Sequence, residues 1–383
     1  MPSIGLGVIG AGYWGPKLVR TALATPQFQL RWLCDHHQDR TRAILGEQAQ
    51  VRTTTSSDEV LGDPEVAAVA IATPAGTHFE LARAALEADK HVLVEKPLTV
   101  TASESEQLTW LATQSGLTLM CDHTFCYTPA AQQIREIIRS GEAGEIQFVD
   151  SVRVNLGLVQ PDVDVLWDLA PHDLSILDFV LPDSTRPVAV AAQTADPVGT
   201  GRACLAHLSV WLSTGALVHV NVSWLSPTKI RTMTFGGTRR TIVWNDMDAH
   251  APVTVYDRGV DRVPECAQVA GQPGVTYRSG EVHVPELPSR EALRSVMPEF
   301  AGTIMEGRAP LTDGSAGVRM LSVLEAASRS AAEEGIRIPI EIQADQATVA
   351  CMVPLSASLG PAPRAAPAVP SARRRNASRD APP

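Results

Sequence analysis

The sequence predicts an α/β chain in two parts: an N-terminal doubly wound parallel sheet, then an α+β domain built on a large open, mostly antiparallel sheet with helices on a single side. Three observations predict it. Ile4 to Ile9 runs straight into Gly10-Ala11-Gly12-Tyr13-Trp14-Gly15 and a helix-compatible stretch; strands and helices then alternate to about Asp122; from Ile146 strand-like segments with polar–apolar alternation take over. At about 150 residues per domain, 383 residues with 44% hydrophobic content supply two cores and an extra segment.

The first element fixes the chemistry of the first sheet. A Gly-x-Gly-x-x-Gly turn between strand and helix marks a Rossmann-type dinucleotide site: Gly10 makes the tight turn, Gly12 lets the backbone approach a pyrophosphate, and Gly15 lets helix pack on strand. Pro16 to Ala24 is the helix. The next strand, Leu30 to Cys34, ends at Asp35, where a carboxylate binds both ribose hydroxyls and repels a 2′-phosphate. That favours NAD, while His36, His37 and Arg40 keep NADP open.

The remaining elements follow in turn: a helix over Arg40 to Gln48, a strand near Val51 to Thr53, a helical turn opened by Ser57, and the apolar run Val66 to Ile71 ending at Thr73-Pro74. A helix from Thr77 to Ala88 leads to strand His91 to Val94, closed by Glu95-Lys96-Pro97; helix Ser103 to Gln114 leads to strand Thr118 to Cys121. Helix Pro129 to Ser140 bridges to strands at 146–154, 188–193, 204–212, 217–224, 229–235, 240–244 and 253–256, and helices return at 290–306 and 316–334. One face of the second sheet is left to be covered, which makes homo-oligomerisation through it the expectation.

Composition excludes several classes. A formal charge of −10 disfavours nucleic acid. It is unevenly spread, because residues 361–383 hold five Arg and one Asp, net +4 against −14 elsewhere. No run of about 18 apolar residues predicts a membrane span, no signal peptide is legible, and a cytoplasmic location is expected. Cys34, Cys121, Cys126, Cys204, Cys266 and Cys351 lack C-x-x-C spacing, so no metal site or disulfide framework is expected. The tail 343–383, rich in Pro, Ala, Ser and Arg, reads as disordered.

Gly10-x-Gly12-x-x-Gly15, Asp35, Thr73-Pro74 with His78, Glu95-Lys96-Pro97 and Trp167-Asp168-Leu169-Ala170-Pro171-His172-Asp173 together resemble the Gfo/Idh/MocA family of sugar and cyclitol oxidoreductases. The resemblance covers roughly residues 4 to 340. It implies a Rossmann domain over 1–125, a substrate-binding and oligomerisation domain over 126–342, and a homodimer or homotetramer. It also implies reversible hydride transfer between NAD and a secondary alcohol of a sugar. Lys96 would polarise the reacting oxygen, and Asp168 and His172 would sit over the nicotinamide, His172 moving the proton. Gly10, Gly12, Tyr13, Trp14, Gly15, Asp35, Thr73, Pro74, His78, Glu95 and Lys96 are the implied cofactor contacts. His123, Tyr127, Asn155 and Trp167 join Lys96, Asp168 and His172 at the substrate. A cis bond before Pro97 is implied too.

The chemistry agrees: an oxidised carbinol must lose its hydroxyl proton, and histidine, with an ordinary pKa near 6.5, suits that task. Asp168 and His172 are four apart, so a helix presents both on one face. Read without the resemblance, Lys96 is a solvated strand-end lysine, Pro171-His172 opens a helix, and Asp168 and Asp173 are helix-terminal acids.

Where many members carry glycines before Asp-x-x-x-His, this chain has Val163 to Trp167, which looks more like members acting on nucleotide-linked sugars, often at the 3-position. A diphosphate needs cations, for which Arg153, Lys229, Arg231, Arg239 and Arg240 are candidates. Free sugars and cyclitols stay open, as does a dinucleotide-binding sensor without turnover.

Overall fold

Six short apolar segments, β1 (Ile4–Ile9), β2 (Phe28–Cys34), β3 (Arg52–Thr54), β4 (Ala68–Ile71), β5 (His91–Glu95) and β6 (Leu119–Asp122), pair in parallel in the order β3-β2-β1-β4-β5-β6 in the computed structural model. The structure describes residues 3–46, 48, 50–160, 163–262, 274–289 and 291–341. Every residue of β4 is buried, as a parallel strand covered on both faces requires. The covering helices are α1 (Gly15–Leu23), α2 (Gln38–Leu45), α3 (Ser57–Leu61), α4 (His78–Glu87) and α5 (Ala102–Ser115). Strand order reverses between β1 and β4, so a ligand crevice opens at their carboxyl ends.

Helix α6 (Pro129–Arg139) leads to β7 (Ile146–Leu156), helix α7 (Val165–Val180), and strands β8 (Pro187–Ala195), β9 (Leu205–Leu212), β10 (Leu217–Ser223), β11 (Leu225–Gly237), β12 (Thr241–Asn245), β13 (Val253–Arg262) and β14 (Val275–His283). Helices α8 (Leu293–Glu306) and α9 (Gly314–Ala332) precede β15 (Ile338–Pro339). The nine strands order as β14-β13-β12-β11-β7-β10-β9-β8-β15, antiparallel except for β7 beside β10. Along β10, Val218, Val220 and Val222 are buried under the helices while His219 on the other face is exposed. Strands β14 and β15 escape sequence reading. Both are edge strands, and β14 is so exposed that no alternation survives.

Helix α7 corrects one expectation. It does not open at Pro171-His172: Asp164 caps it, accepting from the Trp167 backbone N–H at 3.0 Å, and Pro171 lies inside. The proline forfeits one helical hydrogen bond, to the Trp167 carbonyl, and the cap sets the start a turn and a half earlier.

Helix α9 joins the two sheets. The segment leading into it pairs along the β6 edge, Cys121 N–H donating to the Thr312 carbonyl at 2.9 Å. The Glu325 carboxylate accepts from Ala102 N–H at 2.8 Å, at the start of α5. The described residues to 341 form one compact unit. The expected tail, with Cys351, lies outside the described residues, as does Cys266. Cys34, Cys121, Cys126 and Cys204 are buried free thiols. Among the described residues no helix is long and apolar enough to cross a membrane.

Candidate active site

The glycine turn is built as the spacing requires. Gly10 holds φ +106°, and a Cβ there would fall 2.5 Å from the Ala72 carbonyl oxygen; one on Gly15 would fall 2.4 Å from that of Gly10. Gly12 meets nothing within 4 Å, leaving its outer side open for a pyrophosphate. Asp35 fastens the turn to the end of β2: one carboxylate oxygen accepts from Ala11 N–H at 2.7 Å and the other from His37 N–H at 2.8 Å. Lys17, in the first turn of α1, lies over the rings of Trp14 (3.8 Å) and exposed Tyr13 (4.0 Å). His36, His37 and Arg40 are exposed beside Asp35.

Across the crevice lie the loops after β4 and β5. His78 is buried between them, Nδ1 2.8 Å from the Pro97 carbonyl and Nε2 2.8 Å from that of Thr73. Its nitrogens are engaged within the protein, so it ties Thr73 and Pro74 to the Lys96–Pro97 segment rather than facing a cofactor. Burial lowers its pKa. The Lys96–Pro97 peptide is cis.

Lys96 is where the two sheets meet chemically. Its Nζ donates to the Asp168 backbone carbonyl at 3.0 Å and lies 3.5 Å from Asp168 Oδ1. The other carboxylate oxygen, Oδ2, accepts from Trp224 Nε1 at 3.1 Å. Trp224, buried at the end of β10, is a site residue that sequence reading missed; only the three-dimensional return of that strand brings it to Asp168. One turn along α7, half-buried His172 stands edge-on to Phe125 at 5.0 Å. Burial, then the positive charges of Lys96, Arg153 and Arg231, hold its pKa well below the ordinary histidine range. It is therefore neutral near pH 7 and ready to accept a proton.

Behind His172 the backbone is anchored by ions. Asp173 accepts from Arg153 Nε (2.8 Å), Arg153 Nη2 (3.1 Å) and Ser151 Oγ (2.8 Å), all buried. The Arg153 and Arg231 guanidinium groups flank Phe125 at 4.5 and 5.6 Å. Of the cations named from sequence, these two lie beside His172; Arg231 is also 3.3 Å from Asp246, Arg240 pairs with Glu142, and Lys229 is exposed on β11.

Two other expected contacts, Tyr127 and Trp167, turn elsewhere. Tyr127 is buried with its hydroxyl 2.8 Å from Thr312 Oγ1, which makes it a core residue. Trp167 turns its indole N–H to Ser328 Oγ on α9 at 2.9 Å, so the tryptophan that reaches the site is Trp224. Asn155 is half-buried on β7; a Cβ on Gly157 would lie 3.0 Å from its Nδ2 and 2.9 Å from Trp224 Cδ1. His123 is buried beside Lys96, its pKa lowered to about 4 by burial and then by Lys96. A cavity of about 800 Å³ between α6 and α8, lined by Gln132, Arg135 and Pro298 among others, includes none of Lys96, Asp168 or His172.

Residues 4–123 match the oxidoreductase family with an NAD-binding Rossmann fold, and residues 131–243 match the GFO/IDH/MocA C-terminal domain. A UDP-N-acetylglucosamine 3-dehydrogenase of Acidithiobacillus ferrooxidans is 31% identical over 327 residues, 82% of this chain and 93% of that protein. A solved structure of that dehydrogenase superposes with a TM-score of 0.72 at 27% identity, covering 86% of this chain and 98% of the other. GenD2 from gentamicin A biosynthesis, solved in complex with NAD, gives 0.73 at 25% identity over 89% and 97%. With an NAD-binding Rossmann sheet, a nine-stranded partner sheet and Lys96, Asp168 and His172 gathered between them, the chain belongs to the Gfo/Idh/MocA family of oxidoreductases.

Proposed function

We propose that this sugar oxidoreductase moves hydride between NAD and a secondary alcohol or ketone of a nucleotide-linked sugar, at C3, as a cytoplasmic homodimer or homotetramer. Residues 1–125 are the cofactor domain and 126–342 the substrate domain. The observation that carries the reading is Lys96 Nζ at 3.0 Å from the Asp168 carbonyl, which brings an amine from one sheet to the helix that carries His172, whose pKa its charge helps to lower. The relative acting on UDP-N-acetylglucosamine supports the nucleotide sugar and the 3-position. A scyllo-inositol 2-dehydrogenase (NADP(+)) of Bacillus subtilis, 26% identical over 201 residues and matched over 52% of its length, supports the alternatives of a cyclitol and of NADP.

The open side of Gly12 and the carboxylate of Asp35 fit a dinucleotide, the first taking the pyrophosphate and the second the ribose hydroxyls. When bound, the nicotinamide supplies a two-electron hydride acceptor or donor. Lys96 stabilises negative charge on the reacting oxygen and so acidifies the hydroxyl. Neutral His172 takes the proton, and a positioned base of this kind is typically worth about 10² to 10⁴ in rate. Asp168, fixed by Lys96 and Trp224, orients the lysine and keeps an oxygen for a sugar hydroxyl. The face of the second sheet without helices exposes Phe148 and Ile230, which suits subunit contact.

The test is a panel of UDP- and TDP-sugars, free hexoses and inositols with NAD and NADP, followed at the reduced-nicotinamide absorbance. Lys96→Ala is expected to lower turnover by about 10²-fold or more while cofactor binding persists. An unchanged rate overturns the assignment. Tight NADH binding with no turnover of any substrate favours the sensor instead.

A further inference from the structure

Beneath Lys96 lies a buried acidic pair that hydride transfer does not use. Glu95 and Asp122 are register partners at the carboxyl ends of β5 and β6, and both are buried. Each carboxyl group has one oxygen satisfied and one orphaned. Glu95 Oε2 accepts from the Lys96 backbone N–H at 3.1 Å, and Asp122 Oδ1 accepts from Thr124 Oγ1 at 2.8 Å; Glu95 Oε1 and Asp122 Oδ2 have no partner. Two ionised carboxylates side by side in a dry site repel, and each would leave a buried acceptor unmet. With one proton between them, one orphan becomes a donor and the other its acceptor.

We propose that Glu95 and Asp122 share a single proton and, as a pair of net charge −1, position the Lys96 ammonium so that it reaches across to Asp168. Lys96's catalytic role rests on the function proposed above; the shared proton does not.

The surroundings agree. The groups around the pair are Lys96 just past β5, Lys17 on α1, Cys121 on β6, and Cys126 and Tyr127 in the turn that follows, with His123 beside Lys96. Burial pushes Cys121, Cys126 and Tyr127 up and His123 down, so all four are neutral and the two lysines are the cations. Burial, then repulsion by Asp122, raises Glu95 well above the carboxylate range, and burial raises Asp122 to about 6. A proton is thereby held through neutrality. At −1 the pair balances Lys96 without capturing it, and the ammonium bridges to Asp168. When the last proton leaves in alkali, the charge beneath Lys96 doubles and draws the ammonium back from Asp168. Glu95 and Asp122 are thus positioning residues that act through Lys96.

Difference infrared spectroscopy of the full chain, with ¹³C-carboxyl glutamate and aspartate, reads the proton directly. A protonated-carboxyl band is expected at neutral pH and is lost in Glu95→Gln. Its absence from the parent protein overturns the proposal. Asp122→Asn keeps a donor for Glu95 and a fixed charge of −1, so it is expected to move the alkaline limb of the turnover profile up by at least about one pH unit. A variant that melts earlier but keeps the parent's limb shows the pair to be merely structural, and overturns the positioning role.

If no sugar is turned over, the functional reading falls and reductive methylation of Lys96, read by mass spectrometry, tests the pair. In alkali Lys96 should react about tenfold faster in Asp122→Asn than in the parent, the equivalent of one unit of lysine pKa. Equal rates overturn the proposal.

Discussion

Replacing Asp173 by Asn keeps the shape of the side chain and removes its charge. The Arg153 side chain is only 5% exposed and spends its Nε and Nη2 on this carboxylate, while its Nη1 already has no protein partner. The variant therefore strands a buried guanidinium and turns an amide N–H₂ toward other donors. Breaking a buried ion pair from one side costs about 3–5 kcal/mol, at least about a fifth of a typical domain's roughly 5–15 kcal/mol. Urea unfolding followed by tryptophan fluorescence measures the loss as a lower midpoint. Removing the whole network in Ser151→Ala/Arg153→Met/Asp173→Leu leaves no stranded charge, and is expected to recover most of the stability, since apolar replacement of a buried pair is often neutral or better. An Asn variant within about 1 kcal/mol of the parent would refute the reasoning. So would a triple variant no more stable than the single one.

Trp224→Phe retains the packing but loses the N–H that holds Asp168 Oδ2 at 3.1 Å. A hydrogen bond to a charged group is worth about 1.5–3 kcal/mol, so kcat/KM should fall about ten- to hundredfold in steady-state assays. A lower melting temperature with intact kinetics would return Trp224 to the core alone. Asp35→Ser should shift cofactor preference from NAD toward NADP, because it removes the carboxylate that repels a 2′-phosphate. It also releases Ala11 N–H, so NAD should bind about tenfold more weakly, and titration with both dinucleotides that found an unaltered ratio would contradict the NAD assignment.

The parallel sheet was legible because its signals are local: the glycine turn, Asp35 and the apolar runs of β4 and β5 sit side by side in the chain. The meeting of Lys96 with Asp168 in the candidate site was legible through short motifs whose spacing survives folding. Where sequence reading failed, the deciding partner was one that only folding supplies. His78 and Tyr127 look free in the chain, yet the carbonyls of Thr73 and Pro97 and the hydroxyl of Thr312 claim their polar atoms. Trp167 and Trp224 cannot be told apart by alternation, since their roles depend on Ser328 and Asp168. Pro171 misleads because a helix that gives up a single hydrogen bond continues through it, and β14 is silent because it has no buried side to record.

The pairing of Thr312 with Cys121 has a consequence for how the molecule is made. The sheet that emerges first from the ribosome keeps an unmatched border at Met120 and Cys121 until a stretch some 190 positions downstream arrives to cover it. Glu325 and Gly317, which rest on Ala102 and Leu98, come later still. The nascent cofactor lobe is thus unfinished while the second sheet is synthesised, and α9 completes both at once.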